Sequence, residues 1–355
     1  MARTAASRDA DRRSTSAEIV RAAVDRPVFL GGCPRSGTTM LRTMLHSHPG
    51  LAIPRETGFV LGAVEAFERW GDLREEPNRR RLVDWMIGTP ELHFRRLKLD
   101  REAAGGALMA APPTLGSILG TAFALYAERH GAARWGDKRP GYVLELDAVF
   151  ALFPDVQFVS IVRDPRAVVA SMRTLGWLEA WYDGTVAGGV DRWLRSVRSS
   201  RAALERYRAD QFFELRYEDL VEEPEANLLA LCRFAGLDEN GVGAMLDFQQ
   251  RAREFPKRKR ARFHPKLDQP VANVSKDAWR SILTPAEVAL IEHVAAPEMA
   301  RFGYEPVSED APSATLRLKW ARLQFRRWRR RRPRTASLPP GVAARITSAQ
   351  RALPG

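Results

Sequence analysis

Val28-Phe29-Leu30-Gly31-Gly32-Cys33-Pro34-Arg35-Ser36-Gly37-Thr38-Thr39 is an apolar run that breaks into a glycine-bounded loop. The apolar residues ending in Gly31-Gly32 read as a buried strand entering a turn. From Gly37 to His48 a helix follows, with Met40, Leu41, Met44 and Leu45 on one face, and Pro49-Gly50 stops it. Strand, glycine loop and helix in that order make a cradle for an anion. Glycine lets backbone N–H groups approach, and the helix N-terminus adds partial positive charge. Of the triphosphatase pattern G-x-x-x-x-G-K-[ST], Gly32, Gly37 and Thr39 are present. Thr38 stands where the lysine for the β- and γ-phosphates belongs. The loop therefore fits a nucleotide with a shorter phosphate chain, with Arg35 supplying a cation elsewhere.

Similar signals recur downstream. Val156 to Val162 is the clearest buried strand, and Asp164-Pro165 opens the next helix. Trp135 to Lys138 reads as a short strand end, followed by a helix through Leu144, Leu146, Val149 and Leu152. Val186 to Tyr207 reads as a long helix, Phe212 to Tyr217 as a strand and Asn227 to Phe234 as a helix. Thr284-Pro285-Ala286-Glu287 is a capping box opening a helix through Ile291. Ala63 to Tyr126 is helical with a break at Pro112-Pro113, and its topology is not legible. This alternation predicts an α/β fold, a P-loop-type parallel sheet flanked by helices. Ligands in such sheets bind at the carboxyl ends of strands, here just after Leu30, Val162 and Tyr217.

The 355 residues are 45% hydrophobic and 9% aromatic, enough for a core. No apolar run is long enough to cross a membrane as a helix. Residues 1–25 are polar and charged, without an apolar signal-peptide core, and read as a disordered or loosely helical leader. Two cysteines, Cys33 and Cys232, argue against a disulfide-stapled domain and for a reducing, cytoplasmic compartment.

The formal net charge of +13 is local: residues 311–355 hold twelve Lys plus Arg and no Asp or Glu. The expected division is a leader at 1–25, one domain at 26–308 and a basic, partly amphipathic tail at 311–355. In that tail Lys319, Arg322, Arg326, Arg329 and Arg330 share one helical arc, with Trp320, Leu323, Phe325 and Trp328 outside it. The stretch 316–334 reads as a surface for an anionic membrane, which would make the protein peripheral there. Nucleic acid is the less favoured partner, and a solvated tail stays open.

The loop from Phe29 to Thr39 resembles the sulfate-donor loop of sulfotransferases, which use 3′-phosphoadenosine 5′-phosphosulfate (PAPS). Their second element is a strand followed by Arg and, eight residues later, Ser; Val159 to Val162, Arg163 and Ser171 match it. Within the family the chain is most similar to the tyrosylprotein sulfotransferase branch and its bacterial relatives. Arg42-Thr43-Met44-Leu45 and His48-Pro49 follow the loop as there, and Glu56-Thr57 stands where that branch has its catalytic glutamate. Asp137-Lys138-Arg139-Pro140 resembles its Asn-Lys-Asp-Pro segment, and Leu215 to Leu220 its Arg-Tyr-Glu strand end. Val274-Ser275-Lys276, followed by Trp279, resembles its late Ser-Lys-Trp segment.

The resemblance implies a sulfotransferase-like three-layer sandwich and PAPS as co-substrate, with no metal. Arg35, Ser36, Gly37, Thr38 and Thr39 would hold the 5′-phosphosulfate. Arg163 and Ser171 would hold the 3′-phosphate, and Tyr217, Ser275 and Lys276 would also contact the nucleotide. Glu56 is the implied base, with Arg35, Lys138 and Ser275 on the sulfuryl and leaving-group oxygens. The reaction would be an in-line displacement onto a hydroxyl-bearing acceptor: a glycan, a lipid, a small molecule or a tyrosyl. Two other classes stay open: a P-loop kinase or nucleotide triphosphatase, and a non-catalytic protein binding a membrane or nucleic acid through its tail. His48 is the alternative base, but its place at a helix end suits the last carbonyls.

Overall fold

The computed structural model describes residues 26–254, 277–329 and 346, and the opening apolar run becomes the central strand, β1 (Val28–Gly32). Helix α1 (Thr38–Ser47) and strand β2 (Leu51–Ala52) follow. The stretch whose topology was not legible holds α2 (Phe59–Glu65), α3 (Glu76–Gly88), α4 (Arg101–Ala110) and α5 (Leu115–Arg129). Pro112-Pro113 separates the last two, and Thr114 caps α5 by accepting from the Ser117 amide. Next come β3 (Arg134–Lys138), α6 (Leu146–Leu152), β4 (Gln157–Val162), α7 (Pro165–Thr174), α8 (Trp177–Trp181) and α9 (Val186–Arg206). Strand β5 (Phe212–Arg216) leads into α10 (Tyr217–Glu222), α11 (Pro224–Ala235) and α12 (Val242–Leu246). Helices α13 (Pro285–Arg301) and α14 (Ala314–Arg329) come last.

All strands are parallel, in the order β2-β3-β1-β4-β5. The chain leaves β1 toward one edge and β4 toward the other. A crevice therefore opens at the carboxyl ends of these two neighbours, the switch point of an open α/β sheet. Alternation along the strands builds the layers. Val28, Leu30, Val159 and Ile161 face Leu41 and Leu45 of α1 and Leu228 and Leu231 of α11. Phe29 and Phe158 face the opposite cluster, with Phe123 of α5, Trp135 and Phe153. Phe123 stacks on Trp135 at 5.0 Å. Helix α5 is buried at twelve of its fifteen residues, so it reads apolar all round and shows no periodic face.

The expected helix through Leu144 to Leu152 is split into a 3₁₀ turn, Pro140–Leu144, and α6. The capping box at Thr284 and Glu287 forms as expected. The leader at 1–25 lies outside the described residues. No helix among the described residues is long and apolar enough to cross a membrane.

The basic segment does not begin as a free tail. Helix α14 sets Leu316, Trp320 and Leu323 on the apolar cluster built by α7, α9 and α13. Gln324 donates to Asp191 Oδ1 of α9 at 3.3 Å, and Arg327 pairs with the same carboxylate. The correction has a simple cause: Leu316, Trp320 and Leu323 are spaced i, i+4, i+7, a stripe that buries on a neighbour. The packed domain therefore reaches at least Arg329 rather than ending at 308.

Candidate active site

The loop after β1 bends through three left-handed residues: Gly32 (φ 146°), Arg35 (φ 75°) and Gly37 (φ 96°). A Cβ on Gly37 would lie 2.5 Å from the Tyr217 ring, so only glycine lets that ring close over the loop. Arg35 is not a glycine, and its backbone costs on the order of 1 kcal/mol or more. Its side chain and carbonyl are held by other elements. Arg35 Nε donates to Ser171 Oγ at 3.0 Å, and its guanidinium lies 5.3 Å from the Trp177 ring centre. Arg163 Nη1 donates to the Arg35 carbonyl at 3.2 Å, and its guanidinium sits 4.4 Å from the Tyr217 ring centre. Four of the residues singled out in the sequence, three from just past the ends of β1, β4 and β5 and Ser171 from α7, thus form one cluster at the crevice.

Burial, and secondarily the charge of Arg163, push the Arg35 guanidinium down to about 10. The negative charge of an anion bound beside Arg35 would oppose both effects. Thr38 is buried at the start of α1. Ser36 is wholly buried, its amide donates to the Cys33 carbonyl at 3.1 Å, and its hydroxyl has no hydrogen-bond partner among the described residues. Ser36 lines a small void with Ser160 and Trp193.

Lys138 and Glu56 form an ion pair on the other side of the loop. Lys138 Nζ also donates to Thr39 Oγ1 at 3.3 Å, so one ammonium joins the carboxylate to the first turn of α1. The Lys138 side chain is 4% exposed and that of Glu56 is 43% exposed, which leaves the carboxylate reachable. Burial raises the Glu56 pKa, but Lys138, Arg139 and Arg96 together outweigh it and set the carboxyl below its ordinary value. The segment carrying Glu56 is fixed from both sides. Buried Arg42 of α1 donates from Nε to the Ile53 carbonyl at 2.7 Å and to the Pro54 carbonyl at 3.2 Å. Arg96 binds the Glu56 carbonyl.

Asp137 supplies a support that the sequence reading did not identify. Wholly buried, it accepts from Thr57 Oγ1 at 3.2 Å, Tyr142 Oη at 2.5 Å and the Lys138 amide at 2.8 Å. These bonds tie the Glu56 segment to β3. Burial pushes its carboxyl up to about 6, against the lowering effect of those hydrogen bonds. Protonation below that pH removes acceptor capacity from Thr57 and Tyr142. Asp137→Asn should lower turnover about tenfold, the worth of one or two hydrogen bonds. It should also abolish an acid limb near pH 6 in the rate profile, and a limb unchanged in the variant would refute the assignment.

Ser275 and Lys276 lie outside the described residues. Trp279, just beyond them, is buried with its ring centre 4.6 Å from the Arg166 guanidinium of α7. His48 does not serve the last carbonyls of α1 with its ring: Nδ1 accepts from the Gly50 amide at 2.9 Å, and Nε2 bonds the Asp238 carbonyl at 2.8 Å. Both ring nitrogens are engaged, and the residue is buried. Trp177, which packs on Arg35, carried no sequence signal, since it lies outside any loop motif.

Comparison with known proteins places these features in context. The profile of the Sulfotransferase family matches residues 27–240. Nodulation protein NoeE of Sinorhizobium fredii is 26% identical over 341 residues, covering 88% of this chain and 76% of that protein. Protein-tyrosine sulfotransferase 1 of Danio rerio is 26% identical over 286 residues, covering 79% and 72% respectively. Among solved structures, the sulfotransferase domain from the curacin biosynthetic pathway superposes with a TM-score of 0.50 at 23% identity. It covers 79% of this chain and 99% of that domain, and it shares the fold.

Proposed function

Because the chain belongs to the sulfotransferase family, we propose that it moves a sulfuryl group from PAPS to an acceptor hydroxyl by in-line displacement. The observation that carries the reading is the Arg35–Ser171–Arg163–Tyr217 cluster beside the Lys138–Glu56 pair. PAPS has two separated anionic ends, and the two arginines rise from neighbouring strand ends. Arg163 and Ser171 would hold the 3′-phosphate, with Tyr217 against the nucleotide. Arg35, Thr38, Thr39 and the amides around Ser36 and Gly37 would hold the 5′ end, and Ser275 and Lys276 are assigned to the donor by resemblance.

Bound PAPS supplies a sulfuryl group on a phosphate leaving group. Glu56 takes the acceptor's proton; its lowered pKa keeps it ionised, ready to act as a base, at neutral pH. Lys138 touches both the base and Thr39, so its ammonium can hold charge growing on the leaving oxygen. Arg35 and Lys138 bring the cationic charge that the transition state needs, so the reading assigns no metal.

The test is transfer of label from radiolabelled PAPS to tyrosyl peptides, glycans, lipids and phenols. Sulfated product should form with at least one of them, and ATP with magnesium should compete poorly for the donor site. Tight binding of ATP with magnesium, without binding of PAPS, would instead identify a phosphoryl-transfer or triphosphatase site.

A further inference from the structure

Helix α14 has two different faces. Leu316, Trp320, Leu323, Gln324 and Arg327 bind it to the domain. On the other side Leu318, Phe325 and Trp328 stay 51%, 55% and 63% exposed, three of the six large hydrophobic residues most open to solvent among the described residues. Phe325 and Trp328 stack with ring centres 5.8 Å apart, and the Arg329 guanidinium lies 6.0 Å from the Phe325 ring centre. Arg322, Arg326 and Arg329 flank them, all exposed.

Scattered exposed apolar residues need no explanation, but a cluster of them on one docked helix marks a contact surface. We propose that the outer face of α14 docks the protein on an anionic lipid surface. Charge selects that occupant. Residues 311–355 contain twelve Lys plus Arg and no acid, and Asp191 of α9, which α14 contacts, is already paired with Arg327. A second copy of the chain would bring like charge to like charge. An aliphatic side chain among aromatic ones suits the interfacial layer of a membrane, where flanking arginines reach headgroup phosphates. Base stacking on a nucleic acid has no use for Leu318. Because Trp320 and Arg327 fix the helix, docking orients the whole domain rather than tethering it.

The experiment uses the full chain with vesicles of phosphatidylserine mixed with phosphatidylcholine, and of phosphatidylcholine alone. The chain should co-sediment with the anionic vesicles only, and the bound fraction should fall as salt rises. Arg322→Gln with Arg329→Gln should weaken partitioning by about fivefold per charge removed. Phe325→Ser with Trp328→Ser should weaken it at least about tenfold. Neither pair touches the donor site, so binding of 3′-phosphoadenosine 5′-phosphate (PAP) should be unchanged, which reports that the variants fold. No sedimentation, equal sedimentation of the aromatic variant, tighter binding to a single-stranded nucleic acid than to the vesicles, or self-association that the aromatic variant abolishes would each overturn the proposal.

Discussion

Arg163→Ala is expected to weaken PAP binding about a hundredfold or more. A guanidinium can grip a phosphate through two parallel, charge-assisted hydrogen bonds, and removing one partner of such a contact costs roughly 2–5 kcal/mol. Arg163 is prepared for that contact: it is held by the Arg35 carbonyl and laid over Tyr217, so little side-chain freedom is lost on binding. The effect has two routes, direct loss of the phosphate contact and loosening of Arg35, whose strained backbone Arg163 supports. Arg163→Lys separates them. It keeps the charge but loses the planar fork, so most of the loss should persist. Calorimetric titration with PAP reads both variants, and unchanged affinity in Arg163→Ala would remove this residue from the donor site.

Glu56→Gln should lower turnover by roughly a hundredfold or more, the scale of a general base, with PAP affinity nearly unchanged. Gln keeps the shape and can still accept from Lys138, so the loss isolates the proton-accepting role. The pH dependence supplies a second readout. Glu56 has its pKa below the ordinary carboxylate value, so it stays ionised as pH falls through the neutral range and is protonated only under more acidic conditions. Any activity limb near pH 6 therefore belongs to another group, and Asp137 has the matching value. Full turnover in Glu56→Gln would leave deprotonation to the acceptor itself, because both ring nitrogens of His48 are already bonded.

The donor half of the site was legible in the sequence because it is built from local motifs. A loop must follow a strand and open a helix to present amides to an anion, and the glycines at 32 and 37 and the arginines at 35 and 163 sit at those junctions. The capping box at Thr284 and the strands at 28, 157 and 212 were legible for the same reason: short-range periodicity and turn chemistry carry them. Strand β2 was not, because two residues have no period. Helix α5 reached its place by burying nearly every side, which leaves no amphipathic pattern to read.

Contacts across long sequence separations belong to the tertiary structure alone. Thr57 and Asp137 are 80 positions apart, and the parallel pairing of β2 with β3 brings the Glu56 segment and Lys138 together. The faces of α14 were decided in the same way. Its composition announced a basic helix with aromatic residues, but α7, α9 and α13 offered one apolar surface, and a helix can press only one stripe against it. That geometry turned Trp320 and Leu323 inward and left Phe325 and Trp328 facing out.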